Sequence, residues 1–319
     1  MRLTTLGSIL AGLALVACGP GARSGSANGG DDTGSGDDTG GDDGGGNHGG
    51  DGGSNDDCSD AAKKVYVVDE NNTLSTFTPP ATFTDIGTLN CSQTGATPFS
   101  MGIDRNAIAW VLYSDGTLYN VDPSQTPLTC TPTAWQNSTG GNMVFGMGFS
   151  TDSSGGDTDT LFIAGGSGPD DGTGAQLNSV DVTASPITAQ HVGSALPGWP
   201  ELTGNALAEL WGFFPSVDGT TQPKVGRINK TSGAVDPTYT FNNLGGAGQT
   251  ATAWAFAFYG GSYYIFLATG DEFGDTTPTV VYSMDESGSL ASTSGTQTSR
   301  TIVGAGVSTC APIVIGRTQ

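Results

Sequence analysis

Phe99-Ser100-Met101-Gly102-Ile103-Asp104, Ile108-Ala109-Trp110-Val111-Leu112-Tyr113, Ser114-Asp115-Gly116-Thr117 and Leu118-Tyr119-Asn120-Val121-Asp122 follow one another almost without a gap. Three runs of aliphatic, aromatic and β-branched residues are separated by turn residues, the composition of short strands. Asp115-Gly116 stands where a two-residue hairpin needs positive φ. A fourth run spans Pro127 to Pro132. The stretch therefore predicts one four-stranded antiparallel sheet built by local pairing.

The same series returns along the chain. Phe145-Gly146-Met147-Gly148-Phe149 leads to Leu161–Ala164, Leu177–Asp181 and Ile187–Val192. Glu201–Asn205 leads to Glu209–Phe214, Lys224–Asn229 and Thr238–Phe241. Trp254–Phe258 leads to Tyr263–Leu267, Val280–Asp285 and Arg300–Val303. The repeat is about 46 to 56 residues, a spacing that suits four-stranded propeller blades. Both ends are incomplete. Val65–Val68, Leu74–Phe77 and Phe83–Leu89 lack a first strand, and Gly304-Ala305-Gly306-Val307-Ser308 is a first strand with no successors. Joined, they make one blade. The expectation is an all-β, five-bladed β-propeller over 58–319, closed by a C-terminal strand.

The first strands alternate small residues: Ser100/Gly102, Gly146/Gly148, Ala255/Ala257 and Gly304/Gly306, with Gly204 alone in the fourth copy. Innermost strands lie where wedge-shaped blades converge, and glycine in a strand marks close approach. The bulky alternates Met101, Ile103, Met147, Phe149, Phe256 and Phe258 are expected to fill the gaps. The alignment also places the cysteines. Cys310 ends the first strand of blade one and Cys58 precedes its second; Cys91 and Cys130 belong to the fourth strands of blades one and two. Four cysteines allow three pairings. The alignment predicts Cys58–Cys310 and Cys91–Cys130.

Upstream, Met1-Arg2, an apolar run from Leu3 to Val16 and Leu15-Val16-Ala17-Cys18 form a short signal, its apolar run too brief to span a bilayer. The last four residues resemble the lipobox of bacterial lipoproteins. The resemblance implies cleavage after residue 17, and a Cys18 carrying diacylglycerol and an N-linked acyl chain such as palmitate. Gly19, rather than aspartate, follows it. By the same resemblance this directs the protein to the outer membrane, facing the periplasm or the cell exterior. Residues 18–57 are Gly, Asp, Ser, Asn and Thr with almost nothing apolar, the composition of a disordered tether. Its reach is about 35 Å, from ~5–6 Å × √n. Asp31-Asp32, Asp37-Asp38 and Asp42-Asp43 offer oxygen ligands, but lack calcium-loop spacing. A solvated spacer is the reading adopted.

The folded part as a whole resembles an uncharacterised group of predicted bacterial lipoproteins with a β-propeller domain. Pro98-Phe99-Ser100-Met101, Ala109–Tyr113, Phe145–Phe149, Ala253–Phe258 and Thr301–Cys310 carry the likeness. It implies fold and location and no activity.

The 319 residues hold 31 acids and 10 bases, formally −21. Nine acids and two bases precede Cys58, which leaves −14 beyond it. An acidic surface repels phosphate backbones, so nucleic acid is not an expected partner. Only His48 and His191 are present, so a histidine metal cluster is excluded by inventory, and no Cys-x-x-Cys occurs to support a zinc or redox site. Calcium needs only oxygens. Asp271, Glu272 and Asp275 are the better candidate metal ligands, with Phe273 pinning their loop; Asp170 and Asp171 form a second acidic loop. Solvated loops of an acidic protein are the simpler reading. Trp135 and Trp199 stand in loop contexts and are candidate ligand platforms, Trp199 within the stiff Pro197-Gly198-Trp199-Pro200. The expected role is binding or scaffolding of protein or glycan. The alternative is a glycan-active hydrolase, for which Asp104 and Glu201 are the only acids on inner strands.

Overall fold

A computed structural model describes residues 58–92, 95–136, 139–166, 174–242, 244–271, 273–292 and 294–314. The signal, Cys18 and the tether therefore lie outside the described residues, as do Asp170, Asp171 and Glu272.

The second blade forms as its sequence dictates. β4 (Pro98–Ile103), β5 (Ala109–Tyr113), β6 (Leu118–Val121) and β7 (Cys130–Pro132) pair antiparallel in chain order. Gly116 takes φ +80° in the Asp115-Gly116 turn. The other sheets follow suit, with β1 (Val65–Asp69), β2 (Thr73–Thr78) and β3 (Thr82–Thr88) lying in blade one. Blade three holds β8 (Val144–Thr151), β9 (Asp159–Gly166), β10 (Gln176–Asp181) and β11 (Thr188–His191). Blade four holds β12 (Glu201–Gly204), β13 (Leu210–Phe214), β14 (Lys224–Ile228) and β15 (Val235–Thr240). Blade five holds β16 (Thr250–Tyr259), β17 (Ser262–Gly270), β18 (Thr276–Asp285) and β19 (Thr296–Gln297).

Blade one is completed from the other end of the chain. β20 (Ile302–Val307) pairs with β1, with Val65 opposite Val307 and Val67 opposite Ala305. The inner strands β20, β4, β8, β12 and β16 each touch the next, and β16 returns to β20. The chain is a five-bladed β-propeller. The Cys58–Cys310 disulfide, with Cα atoms 5.9 Å apart, locks the closure. Cys91–Cys130, at 5.1 Å, ties blade one to blade two.

One boundary differs from expectation. Arg300–Val303 is not the fourth strand of blade five. That strand is the two-residue β19, opposite Val280 and Val281. Ile302 is fully buried and packs with Val65, Phe77 and Phe266 at the seam, so Ile302 and Val303 are drawn inward as the start of β20.

The core is five interfaces rather than one centre. Met101 and Ile103 pack on Tyr66, Val68 and Leu74 of blade one. Phe145, Met147 and Phe149 pack on Trp110 and Leu112 of blade two. Leu202 and Phe214 pack on Phe162 and Leu177 of blade three, and Phe256 and Phe258 on Trp211 and Phe213 of blade four. At the closing interface Phe77 meets Phe266 edge-on at 5.0 Å and Tyr264 at 5.3 Å. Each such ring pair adds about 0.5–1.5 kcal/mol beyond its burial.

Gly102, Gly146, Gly148, Gly304 and Gly306 face the next blade and Gly204 the preceding one, mostly against backbone rather than against an inserted side chain. A Cβ on Gly146 would lie 2.2 Å from the Pro200 carbonyl oxygen. Gly102, against the Met147 side chain, and Gly306, against the Ile103 side chain, follow the expected pattern.

Candidate functional site

The strand order gives the ring two faces. One is where inner strands begin and where second strands turn into third strands; it is called the mouth face below. The other, the seam face, carries the turns from first to second strands and the closing disulfide.

At the mouth face a small pocket of ≈ 80 Å³ is lined by Pro98, Phe99, Glu201, Thr252, Ala253, Trp254 and Val303. These residues lead or flank the inner strands of blades two, four, five and one, so the pocket lies on the axis. Glu201 is 2% exposed. Its Oε2 accepts a 2.9 Å hydrogen bond from Ser100 Oγ. That bond joins blades two and four past the inner strand of blade three, and so crosses the axis. Met147 and Leu202 amides also bond the carboxyl, yet burial outweighs these contacts and pushes its pKa well above the ordinary carboxylate range. The packing of Leu202 on blade three turns Glu201 and Thr203 to the face that carries Gly146 and Gly148 in β8. The backbone of Pro200 to Thr203 occupies the space that Gly146 and Gly148 leave. Thr203 Oγ1 accepts a bond from the Phe258 amide of blade five.

Asp104 lies at the other end of β4, on the seam face. Its Oδ1 accepts the Asn106 and Ile108 amides and its Oδ2 accepts Trp110 Nε1. It is a turn cap. Four residues of strand separate it from Ser100, about 13 Å at ~3.3 Å per residue. The two inner-strand acids therefore do not converge on one point.

A second concavity on the mouth face is a groove of ≈ 350 Å³ beside blades three and four. Trp199, Phe214, Pro197 and Val217 supply apolar wall, and Lys224, Asp218 and Gln222 supply polar groups. Trp199 is 6% exposed and anchors in the interface between blades three and four. Lys224 Nζ stands 5.4 Å from the Phe214 ring centre. Asp218 is spent on its own turn: it accepts the Thr220 and Thr221 amides and the Thr221 hydroxyl. Those bonds hold its pKa far below the usual range.

Trp135 is drawn into a blade interface and lines neither of these two concavities. It is 7% exposed and packs edge-on against Phe145 at 5.2 Å. The apolar environment between blades two and three claims its ring, and its Nε1 is buried without a hydrogen-bond partner among the described residues. Asp271 caps its loop by accepting the Phe273 and Asp275 amides. Phe273 is 83% exposed and pins nothing. Among the described residues no group of three or more metal-ligating side chains assembles.

The seam face holds a network that composition did not reveal. Arg105 of blade two donates to Asp159 of blade three at 3.2 and 3.3 Å and to the Gly156 carbonyl. Thr309 donates to the same carboxylate at 2.7 Å. Arg105 Nη1 lies 3.9 Å from both disulfide sulfurs. Only the tertiary fold brings positions 58, 105, 159 and 309 together.

No protein-family model matches the chain, and no curated protein matches it significantly. Solved structures do. One is a protein of unknown function from Bacteroides caccae, with 9% identity, TM-score 0.39, and 76% of this chain and 84% of that one covered. Another is the Dos1 propeller, with 11% identity, TM-score 0.38, and coverage of 79% and 72%. A third is an exo-β-1,3-galactanase from Phanerochaete chrysosporium in complex with β-1,3-galactotriose, with 12% identity, TM-score 0.44, and coverage of 65% and 52%.

Proposed function

We propose that this chain is a binding or scaffolding propeller for protein or glycan, carried on a lipid-anchored outer-membrane protein and held off the surface by its tether. The groove beside Trp199 carries the reading. Its volume falls in the range of about 300–1,000 Å³ usual for ligand sites, and it joins rings to a few polar groups. Hydrolysis is the weaker reading, because Asp104 and Glu201 occupy opposite faces. Glycosidase carboxyl pairs stand about 5–9.5 Å apart.

The test is a glycan and peptide array on the purified chain, followed by turnover assays on each hit. Val217→Arg and Lys224→Ala are expected to weaken a hit about tenfold, roughly 1.4 kcal/mol, with melting unchanged. Turnover of a hit, abolished in Glu201→Gln, would replace binding with catalysis. Location has its own test: labelled palmitate is expected on the wild-type chain and not on Cys18→Ser.

A further inference from the structure

We propose that the axial mouth is a receptor for one alkylammonium group, with Glu201 as its counter-ion, Phe99 and Trp254 as its walls, and a lysine side chain as its occupant. The site is separate from the groove beside Trp199 and does not depend on it. Three observations carry the inference.

First, Glu201 is a buried carboxyl with no cation within salt-bridge distance among the described residues. A buried acid without a counter-ion is costly to ionise. The lining residues from blades one, two and five are Val303, Pro98, Phe99, Thr252, Ala253 and Trp254, none of which titrates. Empty, the site is satisfied by a neutral carboxyl bonded to Ser100; a counter-ion for its ionised form would come from outside. Second, the walls suit the stem and head of such a ligand. Phe99 and Trp254 are both partly exposed, and ring faces attract an ammonium while apolar surface takes its methylenes. Third, size selects. At ≈ 80 Å³ the pocket lies well below the range of about 300–1,000 Å³ usual for small-molecule sites. The end of a linear alkylammonium fits. The chain's formal charge of −21 also favours the approach of a cation.

Binding would leave the ammonium protonated and release the Glu201 proton to solvent, so the ion pair forms without any change of covalent bonds elsewhere. Burial keeps the empty carboxyl protonated over a wider range than usual, which makes that release observable.

The experiment titrates the full chain with n-butylammonium, the lysine side-chain equivalent, and with its neutral analogue n-butanol, by calorimetry and infrared spectroscopy. Butylammonium is expected to bind about tenfold or more tightly than butanol, as a charge-assisted contact requires. It should also convert one carboxylic-acid band to carboxylate. Glu201→Gln, which keeps a partner for Ser100, is expected to abolish the preference. Trp254→Leu is expected to weaken butylammonium several-fold and gives a second reading should the Gln variant misfold. Nα-acetyl-lysine amide binding more tightly than putrescine identifies a protein lysine as occupant, whereas the reverse order would overturn that assignment. Equal binding of butylammonium and butanol, or an unchanged acid band at saturation, would overturn the site.

Discussion

Gly146 has no room for a methyl group, because a Cβ there would meet the Pro200 oxygen at 2.2 Å and the Glu201 Cα at 2.9 Å. Both are backbone of the next inner strand, which cannot swing aside. Gly146→Ala is therefore expected to destabilise the chain by about 1–3 kcal/mol or more in urea unfolding. Trp135→Phe combines two effects. It removes a buried donor that lacks a partner among the described residues, while the smaller phenyl leaves a cavity, so the two effects oppose and the loss should be smaller than a ring deletion's about 3–5 kcal/mol. Glu201 gives a pH signature. A carboxyl whose folded pKa exceeds its unfolded value near 4.5 keeps a proton that the unfolded chain releases. Stability from this group is full below that value and falls as pH rises toward its folded pKa, with a slope approaching about 1.4 kcal/mol per unit. The difference in unfolding free energy between wild type and Glu201→Gln should show that decline. Asp85 acts in the other direction. Hydrogen bonds from Arg300 and Ser75 hold its pKa below 3.8, so its contribution is lost as pH falls through the folded pKa. At this scale the alternation of small residues was plain in the sequence. The Ser100 partner of Glu201 was not, since it stands 101 positions away in a blade that is not a neighbour.

Elements were legible wherever turn chemistry bounded an apolar run. The strands around Asp115-Gly116 formed as their residues predict, but the turn is a three-residue loop between Tyr113 and Thr117 with Gly116, not Asp115, at positive φ. The boundary between β19 and β20 was not, because a run can belong to either blade until its burial is known; Ile302, fully buried at the seam, decides it. Trp135 and Trp199 share a related feature: each stands in a loop by composition, yet each folds its ring between two blades. The disulfides were legible because the repeat alignment put each pair beside one another. They should not contribute equally. Cys58–Cys310 closes a separation of 252 residues and Cys91–Cys130 one of 39. Loop-closure entropy gives about 5.5 kcal/mol for the first and about 4 kcal/mol for the second, before any enthalpic difference. Replacing Cys58 and Cys310 by Ser should thus lower the melting temperature more than replacing Cys91 and Cys130. The Arg105–Asp159–Thr309 contacts should remain and hold the seam face together in part.

For the molecule as a whole, closure is the feature that makes the rest possible. Each blade buries its hydrophobic faces only against two neighbours, so a ring with a missing inner strand exposes two interfaces and removes one wall of the axial mouth. The sequence disclosed this through a first strand at the C-terminus that had no sheet of its own. What it did not disclose is which concavity on the mouth face serves a ligand, because side chains from four blades meet there and no single segment contains the pattern. The most direct measurement is the urea unfolding of a chain ended after Thr301, with β20 deleted, beside the intact chain. The account predicts loss of the single cooperative transition and of near-ultraviolet aromatic signal from blades one, two and five. A truncated chain that melts at the same midpoint with its aromatic signal intact would contradict it.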